Sequence, residues 1–399
     1  MTKTKTLGST HPPLAARPPL LTRPLLLRFV SILGSSTSLY LLLPVVPGYA
    51  TAGSGSGGAA GPATAALMLA TVAGELATPG LVDRYGYRVV LTAGLVLLGA
   101  PALALPLSHD LWWIVVVCLL RGLGFGFALV AGGALTASLI PAERRGEGLA
   151  LVGVVSGVPS LVALPLGAWL ASHVGYGVVF TAGAVASLAA IPAVPGLPDK
   201  IRASGRPIGI LEGMRTAALL RPAVVFAAPA VAAGIIVTFL PLVVPASATG
   251  LLTAALFVQP ATATAARWLA GRLGDRLGPG RLVLPGLLLS ALGMLLMVLF
   301  RSPVAVVLAV GVFGIGFGIS QNATLALMYS RVPAAGYGTV SALWNIAYDA
   351  GMGAGALAFG WLAAGTGYPW AFALTGVAML AAVVPAWYDR RAGAGAPGR

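Results

Sequence analysis

The chain has 399 residues, 58% hydrophobic and only 9% charged, with a mean hydropathy of +0.93 and a formal net charge of +14. Soluble domains carry about 25% charged residues, so this chain cannot cover itself with a surface that water would hold, and lipid is its natural solvent. The lone Cys118 excludes a disulfide within one chain and a cysteine-based metal cluster, and His11, His109 and His173 are too scattered for metal spacing, so no metal and no cofactor is expected.

Residues 1–24 are polar, Pro-containing and basic, and read as a disordered cytoplasmic tail. A spanning helix needs ~20 apolar residues. The first such run, 25–47, exceeds a signal-peptide h-region and reads as an uncleaved span. Spans over 60–82, 88–108, 111–139, 147–172 and 176–197 complete an N-terminal six-helix bundle, residues 25–197. Residues 198–220 form the one extended polar insert and read as a cytoplasmic linker. A C-terminal bundle over 221–388 follows, with spans at 222–245, 249–271, 281–300, 303–330, 337–364 and 368–388, and 389–399 is a cytoplasmic tail. A spanning barrel would show ~10-residue alternating segments. These runs are long and continuous, so the expected class is an all-α membrane protein of twelve transmembrane helices.

Basic residues collect on the cytoplasmic side of membrane proteins. With the N-terminus inside, Lys3, Lys5, Arg17, Arg23, Arg28, Arg84, Arg88, Arg144, Arg145, the linker residues and Arg221 all fall on one side, as do Arg272, Arg276, Arg281, Arg331, Arg390, Arg391 and Arg399. The opposite loops, near Gly53, Asp110, Gly175, Ala248 and Gly367, hold no Lys or Arg, and Arg301 alone sits at an outer end. Both termini are therefore expected inside. The same asymmetry accounts for the net charge without a nucleic-acid partner.

A repeat is legible. Asp83-Arg84-x-Gly86 recurs as Asp275-Arg276-x-Gly278, an offset of 275 − 83 = 192. The same offset carries Gly122, Gly124, Phe125 and Gly126 onto Gly314, Gly316, Phe317 and Gly318, Pro141 onto Pro333, Trp169 onto Trp361, and Tyr176 onto Tyr368. The first spans do not obey it, and a glycine-rich outer loop from Gly48 to Gly61 is the expected reason. Two pseudo-symmetric six-helix halves place a substrate site near the midplane between them, reached by alternating access.

These residues resemble the major facilitator superfamily across about 25–388. Its signature between the second and third spans matches Pro79-Gly80-Leu81-Val82-Asp83-Arg84-Tyr85-Gly86-Tyr87-Arg88, with Pro79 and Tyr87 departing from the family's Gly and basic positions, and Gly271 to Gly278 is a second copy. The resemblance implies a gate at Asp83, Arg84, Gly86 and Arg88, mirrored by Asp275, Arg276 and Gly278. A carboxylate at a helix end suits an opposing helix N-terminus, and a turn-stabilising loop charge is the alternative. Arg121, followed by Gly122, Gly124 and Gly126, is similar to the family's fourth-span motif, whose Arg is associated with proton coupling. Gly153, Gly157, Pro165 and Gly167 resemble the fifth-span motif of drug:proton antiporters and sugar-efflux relatives, or serve ordinary helix packing.

Charges inside spans should face a cavity or a partner. Glu75, Arg121, Arg267 and Asp349 are such charges, and Glu75 and Arg267 are repeat equivalents, since 267 − 75 = 192. Desolvation favours the protonated form of a buried carboxylate, the property proton coupling requires. Glu75 and Asp349 therefore join Arg121 as coupling candidates, while simple bonding to neighbours remains open for each. Asn345, four residues before Asp349, shares its helix face. With Trp344, Tyr348, Gln321, Asn322, Gln259 and Arg267, it is a candidate for the substrate cavity or for packing.

The function expected is secondary active transport, namely proton-coupled efflux of a small organic molecule such as a drug or metabolite. An importer or uniporter of a small metabolite is the alternative. No phosphate-cradling loop or nucleophile–base constellation is found, and the linker is too short for a folded catalytic domain, so an enzyme or sensor is not expected. The expected partners are substrate, protons and the bilayer, with the chain monomeric in a bacterial inner membrane.

Overall fold

The computed structural model describes residues 19–54, 59–141, 145–199, 210–333 and 336–394. The expected N-terminal tail up to residue 18, linker residues 200–209 and residues 395–399 lie outside the described residues. So do Lys3, Lys5, Arg17, Arg144 and Arg399, and the side chains of Arg145, Arg390 and Arg391.

Among the described residues twelve long helices cross the molecule. They are α1 (Arg23–Gly53), α2 (Ala60–Tyr85), α3 (Tyr87–Leu107), α4 (Leu111–Leu139), α5 (Arg145–His173) and α6 (Tyr176–Gly196), then α7 (Ala217–Val243), α8 (Thr249–Leu277), α9 (Gly280–Leu299), α10 (Pro303–Tyr329), α11 (Tyr337–Thr366) and α12 (Tyr368–Asp389). A short helix, Ile210–Arg215, leads into α7. Ten of the twelve are apolar enough by composition to cross a bilayer; α8 and α11 are long enough at 29 and 30 residues but too polar along their length. Those two carry Gln259, Arg267, Asn345 and Asp349. Polar residues of this kind avoid lipid and face the protein interior.

The repeat is reproduced contact by contact. A Cβ at Gly122 would strike the Leu67 carbonyl of α2, and one at Gly314 would strike the Gln259 carbonyl of α8. Gly126 meets the Thr71 carbonyl as Gly318 meets that of Ala263, and Gly124 abuts the Gly94 and Leu98 backbone as Gly316 abuts Gly286 and Ser290. Every pair is separated by 192. Small residues let the α4 and α10 backbones lie directly on their neighbours, which is how helices associate where lipid offers no hydrophobic drive. The turns repeat as well. Gly86, Gly175, Gly278 and Gly367 have φ of +83°, +108°, +84° and +79°, two pairs at the same offset, and this left-handed backbone favours glycine. Asp110 caps α4 by accepting from the Trp112 amide (3.2 Å), and its equivalent Ser302 caps α10 by accepting from the Ala305 amide (3.4 Å).

The glycine-rich stretch after the first span differs from expectation. It is not a loop from Gly48, because helix resumes over Val46–Ser54 after a turn at residues 43–45. Tertiary contacts hold it there. Tyr49 donates to the Leu105 carbonyl (3.2 Å) and lies against His109 (ring centroids 4.4 Å), Tyr176 and Phe180, and a Cβ at Gly53 would press on His109. His109 is exposed but has this aromatic partner. At the other terminus helix continues through Val383–Ala394, past the expected start of the tail at 389, and Asp389 is completely buried.

The halves meet through α2 against α11 and α5 against α8, two contacts that are pseudo-symmetric mates, while α3, α6, α9 and α12 pack on the outside of their own halves. The α2–α11 approach is tightest towards the face that lacks Arg. A Cβ at Gly61 would meet the Ala356 carbonyl (2.5 Å), one at Gly353 would meet Met68 (3.0 Å), and Thr238 of α7 donates to Thr64 of α2 (2.9 Å). Nearer the Arg-rich face, Gly80 on α2 and Gly338 on α11 have no neighbouring helix within 4 Å of a built Cβ.

Overpacking a well-filled contact costs about 1–3 kcal/mol. Gly122→Val and Gly314→Val should therefore each lower the midpoint of thermal unfolding in detergent. Gly133→Val, at a glycine with nothing within 4 Å, should leave it nearly unchanged.

Candidate functional site

The α2–α3 loop is held from within its own half. The Arg88 amide donates to Asp199 Oδ1 (3.1 Å), its Nε donates to the Leu197 carbonyl (2.6 Å), and the Tyr87 amide donates to the Asp199 carbonyl (3.2 Å). Asp199 thus caps the positive end of α3, and a Cβ at Gly86 would collide with its carboxylate (2.5 Å). The carboxylate at this helix end is Asp199, a linker residue that loop-motif reasoning did not single out. Asp83, Arg84, Asp275 and Arg276 are exposed, and neither aspartate forms an ion pair among the described residues. Gly278 has the same left-handed turn as Gly86, but no atom crowds it within 4 Å.

Two arginines are buried in the N-terminal half without a carboxylate. Arg121, 1% exposed, donates from Nε to the Leu98 carbonyl and from Nη2 to the Ser38 carbonyl, both at 3.1 Å, tying α4 to α3 and α1. Arg28, read from sequence as a cytoplasmic charge, is 5% exposed. Its Nε donates to the Gly132 carbonyl (3.0 Å) and Thr136 Oγ1 (3.1 Å), and its Nη1 donates to Ser31 Oγ (2.6 Å). A Cβ at Gly132 would overlap the guanidinium. Five residues inside α1, Arg28 looks from sequence like one more basic flank. Only α4 reveals that it turns inward. In the C-terminal half, Asp389 anchors Arg331 (2.9 Å) and Arg221 (3.9 Å) beside the start of α7.

The cross-half contact between α2 and α11 includes a pair of acids. Glu75 is 2% exposed and Asp349 3%, and their carboxyls lie within hydrogen-bonding reach of one another. Neither Glu75 oxygen nor Asp349 Oδ2 has a donor. Two facing carboxyls form a hydrogen bond only when one of them carries a proton, so this pair can hold a proton between the halves. Spacing along the chain did not bring these two acids together; the packing of α2 on α11 does. Arg121 donates elsewhere, to the Leu98 and Ser38 carbonyls. On the pseudo-symmetric α5–α8 contact the equivalents are Gly157 and Arg267. Arg267 is exposed, lies within electrostatic range of Tyr40 and Tyr348, and makes no hydrogen bond or ion pair among the described residues.

Of the remaining candidates, Trp344 is buried face to face on Phe226 (4.5 Å between centroids) and donates from Nε1 to Thr324 Oγ1 (3.1 Å). Tyr348 continues that aromatic stack against Phe226 and Phe317. Gln259, Gln321, Asn322 and Asn345 are half-buried. In α5, Gly167 lies directly on the Leu41 carbonyl and Pro165 is buried, whereas Gly153 and Gly157 face open space.

A family model described as Major Facilitator Superfamily matches residues 28–356 and again 244–398. The chain belongs to the Major Facilitator Superfamily. Solved structures agree with this fold. A D-xylose-proton symporter superposes with a TM-score of 0.73 at 16% identity over 91% of this chain and 96% of that one, and a peptide transporter, POT, with 0.74 at 15% over 93% and 95%. At such identities the likeness is one of fold alone. The chain is also 28% identical to a chloramphenicol resistance protein of Streptomyces lividans, over 88% of this chain and 93% of that protein. It is 27% identical to the 3-(3-hydroxy-phenyl)propionate transporter of Escherichia coli K12, over 75% and 77%. It matches less than a third of the length of the niacin transporter NiaP of Acinetobacter baylyi (26% identity over 29% of that protein).

In this major facilitator fold the Asp199 contacts define a loop clamp with a measurable strength. Removing an N-terminal capping side chain costs ~1 kcal/mol, so Asp199→Ala should lower the unfolding midpoint by that equivalent. Asp83→Ala, at an exposed side chain, should stay within about 0.5 kcal/mol of the parent. Thermal unfolding of the two purified variants compares them directly.

Proposed function

We propose that this major facilitator protein is a proton-coupled exporter of small organic molecules, working by alternating access. The observation that carries the reading is the buried Glu75–Asp349 pair, which spans the contact between α2 and α11. Two ionised carboxylates at such proximity repel in a low-dielectric site. A single shared proton replaces repulsion with a hydrogen bond. Taking up a proton then favours joining α2 to α11 at this level, and losing it favours parting them. Proton occupancy is linked in this way to the rocking of one half against the other.

By the positive-inside rule the Arg-rich face is cytoplasmic, which puts both termini inside a membrane of the bacterial inner-membrane type. The tight glycine contacts on the opposite face and the open glycines Gly80, Gly338, Gly153 and Gly157 support a resting arrangement that opens towards the cytoplasm. Asp83, Arg84, Gly86, Arg88, Asp275, Arg276 and Gly278 line that face and form the gate that closes it when the halves rock. Arg121 braces α1, α3 and α4 beneath the pair. The substrate path runs between α8 and α11, whose polar residues Gln259, Arg267, Asn345 and Tyr348 set them apart from the lipid-facing helices, and the protein acts as a monomer. The export direction is supported by likeness to the chloramphenicol resistance protein along nearly its whole length and by the fifth-span motif. The names of the niacin and 3-(3-hydroxy-phenyl)propionate transporters favour a second reading, in which the same machinery imports a small metabolite.

Glu75→Gln and Asp349→Asn should each reduce substrate flux driven by an imposed pH gradient in proteoliposomes by about tenfold or more, the scale of losing one proton-transfer group. Both should keep substrate counterflow at equal pH. Arg121→Ala should impair both fluxes. Full gradient-driven flux in all three variants would sink the coupling proposal.

A further inference from the structure

We infer that Arg267 is the anion-binding group of the transport path, and that this protein takes small organic carboxylates with an aromatic or otherwise apolar body. The inference rests on reading the chain as a transporter, and it does not depend on proton coupling.

Arg267 is ten residues before the end of α8 at Leu277, which puts it ~15 Å below the Arg-rich face at 1.5 Å per residue. A cation at that depth is costly and needs a partner. The other charges buried inside the spans have one among the described residues. Arg28 and Arg121 are satisfied by carbonyls and hydroxyls, Asp389 pairs with Arg331 and Arg221, and Glu75 and Asp349 face each other. Arg267 is exposed and has neither a hydrogen bond nor an ion pair among the described residues.

Tyr40 on α1 and Tyr348 on α11 lie within electrostatic range of it, so residues of both halves flank it. The pseudo-symmetry explains the free space. By the 192-residue offset the counterparts of Asp349 and Glu75 are Gly157 on α5 and Arg267 on α8, and a Cβ at Gly157 would meet no atom within 4 Å. The counterpart of the acid pair is thus a cation with a gap at its partner position. A guanidinium in such a gap presents a planar fork of donors that fits a carboxylate with two parallel bonds. The apolar body has a wall ready beside it. Tyr348 stacks on Trp344 (6.1 Å) and Phe226 (5.9 Å), and its own ring is half-buried.

The test is binding of matched probes to the purified full-length protein, read by tryptophan fluorescence and by thermal stabilisation. The probes are 3-phenylpropionate and its uncharged counterpart 3-phenylpropanamide. The parent should bind the carboxylate about tenfold or more tightly than the amide, as expected for a charge-assisted pair. Arg267→Gln should bring the two probes to near parity, and Arg267→Lys should keep part of the preference. Gly157→Asp should abolish the preference from the opposing helix, by supplying Arg267 with an internal partner where there is room for one. The inference is overturned if the parent binds both probes equally or binds neither. Survival of the carboxylate preference in both Arg267→Gln and Gly157→Asp would overturn it too. Loss of pH-driven flux with an intact carboxylate preference would count against the coupling reading instead.

Discussion

A charge buried between helices in lipid must find its counterpart inside the protein, and the ways in which this chain meets that constraint organise its interior. Arg121 and Arg28 use backbone carbonyls, which bind helices of one half to each other. Asp389 uses two arginines and closes the Arg-rich end of the C-terminal half. Glu75 and Asp349 face each other, with no basic partner among the described residues, and they belong to different halves. The first three arrangements join partners within one half. The acid pair joins partners from different halves.

Glycine supplies the framework that lets this happen. Gly122, Gly124 and Gly126, with their counterparts Gly314, Gly316 and Gly318, seat α4 and α10 directly on adjacent backbones, so each half behaves as a tightly keyed unit. Between the halves the close glycine approaches among the described residues lie towards the face without Arg, around Gly61 and Gly353. The departure from symmetry is equally pointed. At matching positions on the two cross-half contacts, one has two acids and the other an arginine and a glycine.

The sequence by itself determined the class, the number of helices, the repeat and the turns. Length and apolarity of a run suffice for a spanning helix, and an offset of 192 is legible because Asp-Arg, Gly, Pro and Trp do not align by chance in apolar sequence. The buried charges were legible too, because Asp, Glu and Arg inside apolar runs are conspicuous. Tertiary structure decided who meets whom. Glu75 and Asp349 are 274 residues apart in number (349 − 75) and share no periodicity, so only the packing of α2 on α11 makes them a pair. Asp199 looked like a linker charge until its cap on α3 was seen, and Arg28 looked like a flank until α4 offered it Gly132. Gly48 to Gly53 looked like a loop, because glycine's local preference is against helix and the aromatic contacts of Tyr49 that override it come from α3 and α6. A sequence records what each residue needs, and lipid makes those needs unusually plain; which neighbour answers them is set by helix packing, which acts across the chain.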